Sequence, residues 1–121
     1  MGLFDVTQIS LERALAGSTL RQEVLANNVS NANTPGFRRA DVDFHTALAE
    51  ALDAGAERKQ LEQLAFEPET DPSGPSRSDG GNVDMDVEMA SLAENALEHQ
   101  ALVNVAKARL RMLELVIGPT R

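Results

Sequence analysis

The chain contains no cysteine, tryptophan or tyrosine, and only four phenylalanines among its 121 residues. Without cysteine it forms neither a disulfide nor a thiolate metal site. That absence leaves the compartment open, because reducing and oxidising spaces both tolerate it. No span approaches the ~18 uninterrupted apolar residues that cross a bilayer. The opening MGLFDVTQISLERAL carries an acid at Asp5 and no basic region, so it does not read as a secretory signal. It also lacks the Ser or Thr of a myristoylation signal. By these rules the chain is expected in the cytoplasm, unless it leaves by a route that cleaves nothing.

What is present is helical material and acid. At 13.0 kDa the chain is one domain at most. Such a chain buries roughly 60% of its unfolded surface. Its apolar residues are mostly Ala, Leu, Val and Met, a palette for helix packing rather than for sheets. The formal charge of −8 is uneven: residues 1–40 are net +1, residues 41–101 net −12 and residues 102–121 net +3. An acidic middle argues against nucleic acid as a partner, since that needs clustered Lys and Arg.

The periodicity predicts a mainly α fold with two long terminal helices. The first is expected to start at Asp5, with Gln8 completing a capping-box-like pair and Phe4 stapled to Ile9. At about 100° per residue it shows two apolar stripes, one through Phe4, Leu11, Ala14, Leu15, Leu25 and Val29 and the other through Val6, Ile9, Ala16, Leu20 and Val24. A surface helix of a monomer needs one stripe. Leu11, Leu15, Leu20 and Val24 are therefore candidates for helix packing or a subunit interface. Gly17 costs helix stability and suits close approach of a neighbour.

The last helix, capped by Asp84 or Asp86 and stopped by Gly118-Pro119, carries an unbroken heptad. Met89, Ala96, Val103, Leu110 and Ile117 form one seam position. Met85, Leu92, His99, Ala106 and Leu113 form the other. A second stripe runs through Val87, Leu97, Ala101, Val105, Ala108, Met112 and Leu115, so this helix too is apolar on two sides. Between the long helices, 44–66 reads as a short helix interrupted at Gly55. Residues 67–82, with three Pro and three Gly, read as a flexible loop.

No catalytic or cofactor pattern emerges. His45 and His99 lack metal-ligand spacing, and His99 in the seam is expected to set register. Asp84, Asp86 and Glu88 alternate like the start of a calcium loop but lack its glycine and closing Glu, so capping is expected. Gly80-Gly81 is too short for a phosphate loop, and Arg38-Arg39 is expected to be a solvated pair. No nucleophile and base can be paired, so a small hydrolase is disfavoured. What stands out is LANNVSNANTPGFRR (25–39). There Asn27 and Asn28 are expected to end the helix in the left-handed conformation. Thr34-Pro35-Gly36 fits a type II turn. One cap and one turn suffice for a helix end, so the excess suits a fixed-shape element that something else recognises.

These residues carry a resemblance. ANNVSNANTPGF (26–37) is similar to the N-terminal signature of flagellar rod and hook proteins, an ANN-x-x-N-x-x-TPG-aromatic pattern. RRADVDF (38–44) and GGNVDMDVEMASLAENALEHQALV (80–103) resemble the matching segments of the proximal-rod branch of that family. The resemblance marks Asn27, Asn28, Asn31, Asn33, Thr34, Pro35, Gly36 and Phe37 as a signature turn. It implies a non-enzymatic subunit of the basal-body rod, without cofactors, lying in the periplasmic rod and exported by the flagellar type III apparatus without a cleaved signal peptide. It implies terminal helices paired as an antiparallel coiled coil. On that reading 1–44 and 83–121 form one helical rod-core domain, and 45–82 is a variable, partly disordered middle. The implied partners are FliE, the export gate, other rod subunits and further copies of the chain. Apart from 26–37, the residues fit equally a cytoplasmic helical adaptor or chaperone of an export system.

Overall fold

The computed structural model describes residues 3–118, with side chains from Asp5 onward. Its elements are α1 (Leu3–Ser30), β1 (Ala40–Asp41), α2 (Phe44–Asp53), α3 (Arg58–Glu62), β2 (Glu69–Thr70) and α4 (Met85–Ile117). The fold is mainly helical, as the periodicity predicts, and the two long helices contact each other. β1 and β2 pair antiparallel, Ala40 opposite Thr70 and Asp41 opposite Glu69.

α1 is already helical at Leu3, so Asp5 sits in its first turn rather than capping it. There the carboxylate still complements the positive helix end. The expected staple involves Phe4, whose side chain lies outside the described residues; Ile9 is buried. The far end also departs from expectation. α1 runs through Asn27 and Asn28 to Ser30, and no described residue other than glycine has a positive φ. Tertiary partners hold Asn28 in the helix instead. The chain then turns through Ala32 N–H to Val29 O (3.2 Å) and Thr34 N–H to Asn31 O (3.0 Å). The turn expected at Thr34-Pro35-Gly36 forms, closed by Phe37 N–H to Thr34 O at 3.2 Å with Gly36 at φ 75°.

The middle begins as expected and then divides. Asp43 caps α2, its Oδ1 accepting from Thr46 N–H at 3.2 Å. Gly55, at φ 75°, separates α2 from α3. Phe44, at the start of α2, is buried against α1 at Gly17, where an added Cβ would meet the Phe44 side chain at 2.5–2.8 Å. Phe66 meets Phe44 edge-on with centroids 6.1 Å apart, and Leu61 of α3 is fully buried.

Asp84 is the cap of α4, its Oδ1 accepting from the N–H groups of Asp86 (3.0 Å) and Val87 (3.3 Å). Gly118, at φ 89°, closes the helix with its N–H on Glu114 O at 3.0 Å; Pro119 lies outside the described residues. The seam differs from the predicted one by a single row. Leu92, His99, Ala106 and Leu113 fall on the buried face, with Met85 exposed before them. The other predicted row faces away: Met89, Ala96, Leu110 and Ile117 are exposed and Val103 is half-buried. Its place is taken one residue earlier by Glu88, Asn95, Leu102 and Arg109. These positions recur every seven residues too, so apolar periodicity alone picks the wrong neighbour. The polar row wins because α1 supplies its hydrogen-bond partners. Buried polar groups that find such partners escape the desolvation cost of unpaired ones.

Candidate functional site

The contact between α1 and α4 is a ladder of polar pairs. Arg109 Nε donates to Gln8 Oε1 at 3.2 Å. His99 Nδ1 lies 2.7 Å from Ser18 Oγ, whose hydroxyl also donates to Leu15 O at 2.9 Å. Asn95 Nδ2 donates to Ser18 O and to Gln22 Oε1, both at 2.8 Å. Asn28 Nδ2 donates to Glu88 Oε2 at 3.1 Å. Asn95 and Glu88 thus join His99 as polar positions between the helices.

At the end of α1 this ladder becomes a clasp. Asn28 exchanges two hydrogen bonds with the backbone of Ala40, donating to its carbonyl at 2.7 Å and accepting from its N–H at 3.0 Å. The side chain therefore acts as a strand partner for β1. Arg39 does not lie in solvent as expected; only Arg38 is exposed. The Arg39 guanidinium bonds to Glu88 and Asp71 and reaches Asp41 at 3.4 Å. Glu88 is 0% exposed, so its carboxylate relies wholly on Arg39 and Asn28. Asn82 completes the clasp, accepting from Arg39 N–H at 2.7 Å and donating to Asp71 O at 2.8 Å. Arg77 spans the gap, donating to Ala32 O. Gly81 gives it room, since a Cβ there would meet the Arg77 guanidinium at 2.7 Å. The two stretches that carry the resemblance, 26–44 and 80–103, are in this way bound to each other.

The signature turn divides into an inner and an outer set. Asn28 and Ala32 are buried and Phe37 is half-buried. Asn31 holds the turn's shape, its Nδ2 donating to Asn27 O at 2.9 Å. Asn27, Asn33, Thr34, Pro35 and Gly36 are exposed. Asn82 and Arg77 were not singled out by sequence, and Arg39 and Glu88 were read only as half of a solvated pair and as a capping acid. The one signal available was the polar pair Glu88 and Asn95, seven residues apart inside an apolar helix.

Acid groups around the clasp respond to pH in a definite direction. Burial pushes the Asp41 carboxyl up, but hydrogen bonds from Arg21 (2.8 Å) and Val42 N–H (2.7 Å), with the charges of Arg21 and Arg39, hold it below its ordinary range. Hydrogen bonds from Thr46 lower Asp43, and those from Ser73 together with Arg39 lower Asp71. A carboxyl lowered by folding adds stability above its unfolded value, about 3.9 for Asp, and loses it as pH falls toward the folded value. Acid titration of the unfolding transition is expected to show a plateau above about pH 5 and a decline below about pH 4. Arg21→Gln is expected to flatten that decline; an unchanged acid limb in the variant contradicts the Asp41 assignment.

Among the described residues no three His, Asp or Glu side chains gather as a metal site, and no helix is long and apolar enough to cross a membrane. What the molecule displays is apolar surface on α4: Met85, Val87, Met89, Leu97, Val105, Leu110, Met112, Leu115, Val116 and Ile117 are all exposed. Leu110 keeps 57% of its surface in solvent. These side chains lie on two sides of α4, and exposed apolar surface of this extent marks protein interaction sites.

Comparison with known proteins points the same way. Residues 10–38 match the family described as "Flagella basal body rod protein". Over its whole length the chain is similar to the flagellar basal body rod protein FlgB of Bacillus subtilis, at 32% identity with 97% of each chain covered. The FlgB proteins of Escherichia coli K12 and Salmonella typhimurium are each 32% identical, covering 83% and 88% of this chain and 84% and 90% of their own.

Proposed function

Because this chain belongs to the FlgB family of flagellar basal-body rod proteins, we propose that it assembles into the rod through its two terminal helices after export by the flagellar type III apparatus without a cleaved signal peptide. The family is structural, so the chain is a basal-body rod subunit and not an enzyme. We take α1 and α4 as an antiparallel coiled coil. In support, Gln8, Ser18 and Asn28 meet Arg109, His99 and Glu88, stepping in opposite directions along the two helices. Residues 1–44 and 83–121 then form the rod-core domain and 45–82 the variable middle. The partners are the other proximal rod subunits, FliE, the membrane export gate and further copies of the chain.

The observation that carries this reading is the division of labour on α4. On its inner side Glu88, Asn95 and His99 are hydrogen-bonded to α1 within the chain, while Val87, Met89, Leu97, Val105, Leu110, Met112 and Leu115 are exposed. Burying those exposed side chains between subunits releases about 25 cal/mol per Å² of apolar surface. The exposed half of the signature turn, Asn33 to Gly36, is available to export or assembly machinery.

Cells lacking the native chain and supplied with variants test the reading. Leu110→Asp is expected to change the isolated chain's stability by no more than about 0.5 kcal/mol, as befits an exposed site. It is also expected to remove the chain from basal bodies and reduce motility. The turn variant Asn33→Ala/Thr34→Ala is expected to keep native helicity by circular dichroism and yet lower export or incorporation. Normal incorporation of Leu110→Asp contradicts assembly through α4. A wild-type chain retained entirely inside the cell contradicts export.

A further inference from the structure

The outward face of α4 repeats itself. Val87 and Leu97 recur as Val105 and Leu115, in each case 18 residues later. Eighteen residues are five helical turns, so Val105 stands at the azimuth of Val87 and Leu115 at that of Leu97, each about 27 Å further along the axis. All four side chains are exposed, Leu97 by 73% and Leu115 by 80%. The charge divides along the same line. Residues 84–101 hold five acids and no Lys or Arg, and of those acids only Glu88 is buried. Residues 102–117 hold Lys107 and Arg111 outside, with Arg109 turned to Gln8 of α1, against the single acid Glu114.

We propose that the acidic half of α4 in one copy of this chain receives the basic half of α4 in a second copy, the two helices parallel and offset by 18 residues. Val105 and Leu115 of one copy then pack beside Val87 and Leu97 of the next. Arg111, on one flank of the stripe, comes one residue short of level with Glu94, which stands between Val87 and Leu97 in azimuth on its neighbour. The offset matches apolar side chains in kind and opposes charges in sign. An unshifted parallel pair instead sets acid beside acid and base beside base, which repels. A two-fold antiparallel pair also opposes the charges, but it closes at two copies. A parallel offset is heterologous and leaves one half-site open at each end, so further copies can add. The choice between these two rests on the rod reading above, because a rod requires open-ended growth.

Basal bodies from cells co-expressing the L97C and L115C chains, mildly oxidised, test the contact, and the native sequence contributes no cysteine of its own. The expected result is an L97C–L115C cross-link about tenfold stronger than that from co-expressed L97C and V105C. In the offset pair Leu97 is about 15 Å along the axis from Val105, beyond the ~7 Å Cα reach of a disulfide. Arg111→Glu on the L115C chain is expected to cut the yield severalfold, and Glu94→Arg on the L97C chain to restore it. A dominant L97C–V105C product means an antiparallel pair, because facing Val87 with Leu115 sets Leu97 opposite Val105. Incorporated variants that give no cross-link mean that something else covers the face. Either result overturns the proposal and leaves the rod reading intact. Absence of the wild-type chain from basal bodies fails the rod reading instead. If the cysteine variants do not incorporate, the same comparison on purified full-length chains at high concentration decides, and equal yields there overturn the proposal.

Discussion

Replacing Arg39 by methionine is expected to cost the isolated chain about 3–5 kcal/mol, the usual penalty for stranding one partner of a buried ion pair. Glu88 is 0% exposed and, without Arg39, keeps only the 3.1 Å bond from Asn28. Asp71 and Asp41 also contact Arg39, but their side chains are 31% and 30% exposed, so water can replace the guanidinium there. The loss is therefore concentrated on Glu88. A domain of this kind has roughly 5–15 kcal/mol in total, so the variant is expected to be partly unfolded at ambient temperature. Urea unfolding monitored by circular dichroism measures the change. The double variant Arg39→Met/Glu88→Met is the control, since replacing both buried charges by apolar groups is often close to neutral. A double variant as unstable as Arg39→Met alone would show that the lost stability does not lie in the pair.

Gly17→Ala is expected to destabilise the chain even though helix propensity predicts the reverse. Alanine in a helix interior gains about 1 kcal/mol over glycine. Here the new Cβ would lie 2.5 Å from the Phe44 ring carbon Cγ and 2.6 Å from its Cβ. Phe44 is only 2% exposed and is backed by Phe66, so it has little room to retreat. Overpacking a filled core costs about 1–3 kcal/mol, enough to cancel the propensity gain and leave a net loss. Phe44→Ala alone is expected to cost about 3–5 kcal/mol through the cavity it opens. The two sites share one space, so their effects are expected to be strongly non-additive. Adding Phe44→Leu to Gly17→Ala should recover part of the loss. A stabilised Gly17→Ala chain would mean that α2 does not dock on α1 at this glycine.

Both predictions fall where local pattern is least informative. Gly17 reads in sequence as a mild helix defect that suits close approach, and the structure supplies the neighbour, Phe44. Arg39 reads as half of a solvated basic pair and Glu88 as a charge suited to a helix N-terminus. Each statement is locally sound, since the helix end does favour an acid. Neither reveals that 49 residues of chain bring the two side chains together. Asn28 is the clearest case. Its intrinsic tolerance of the left-handed conformation makes it a reasonable helix stop, yet bonds to Ala40 and Glu88 hold it inside the helix.

Features governed by interactions within a few residues were legible from sequence. These are the two long helices and their two-sided apolar character, the interruption at Gly55, the turn at Thr34 to Phe37, the aspartate cap of α4 and the glycine that closes α4. The signature residues also carried the family. Only the tertiary structure decided which row of α4 faces α1, which asparagines are inside, and that a buried ion pair ties the signature turn to the start of α4. The physical reason is that a polar residue's place depends on whether a partner meets it. Buried with a hydrogen bond, Asn95 or Glu88 belongs in a helix seam; buried without one, either would be costly enough to turn outward. The partners lie 49 to 77 residues away, and apolar periodicity holds no record of them.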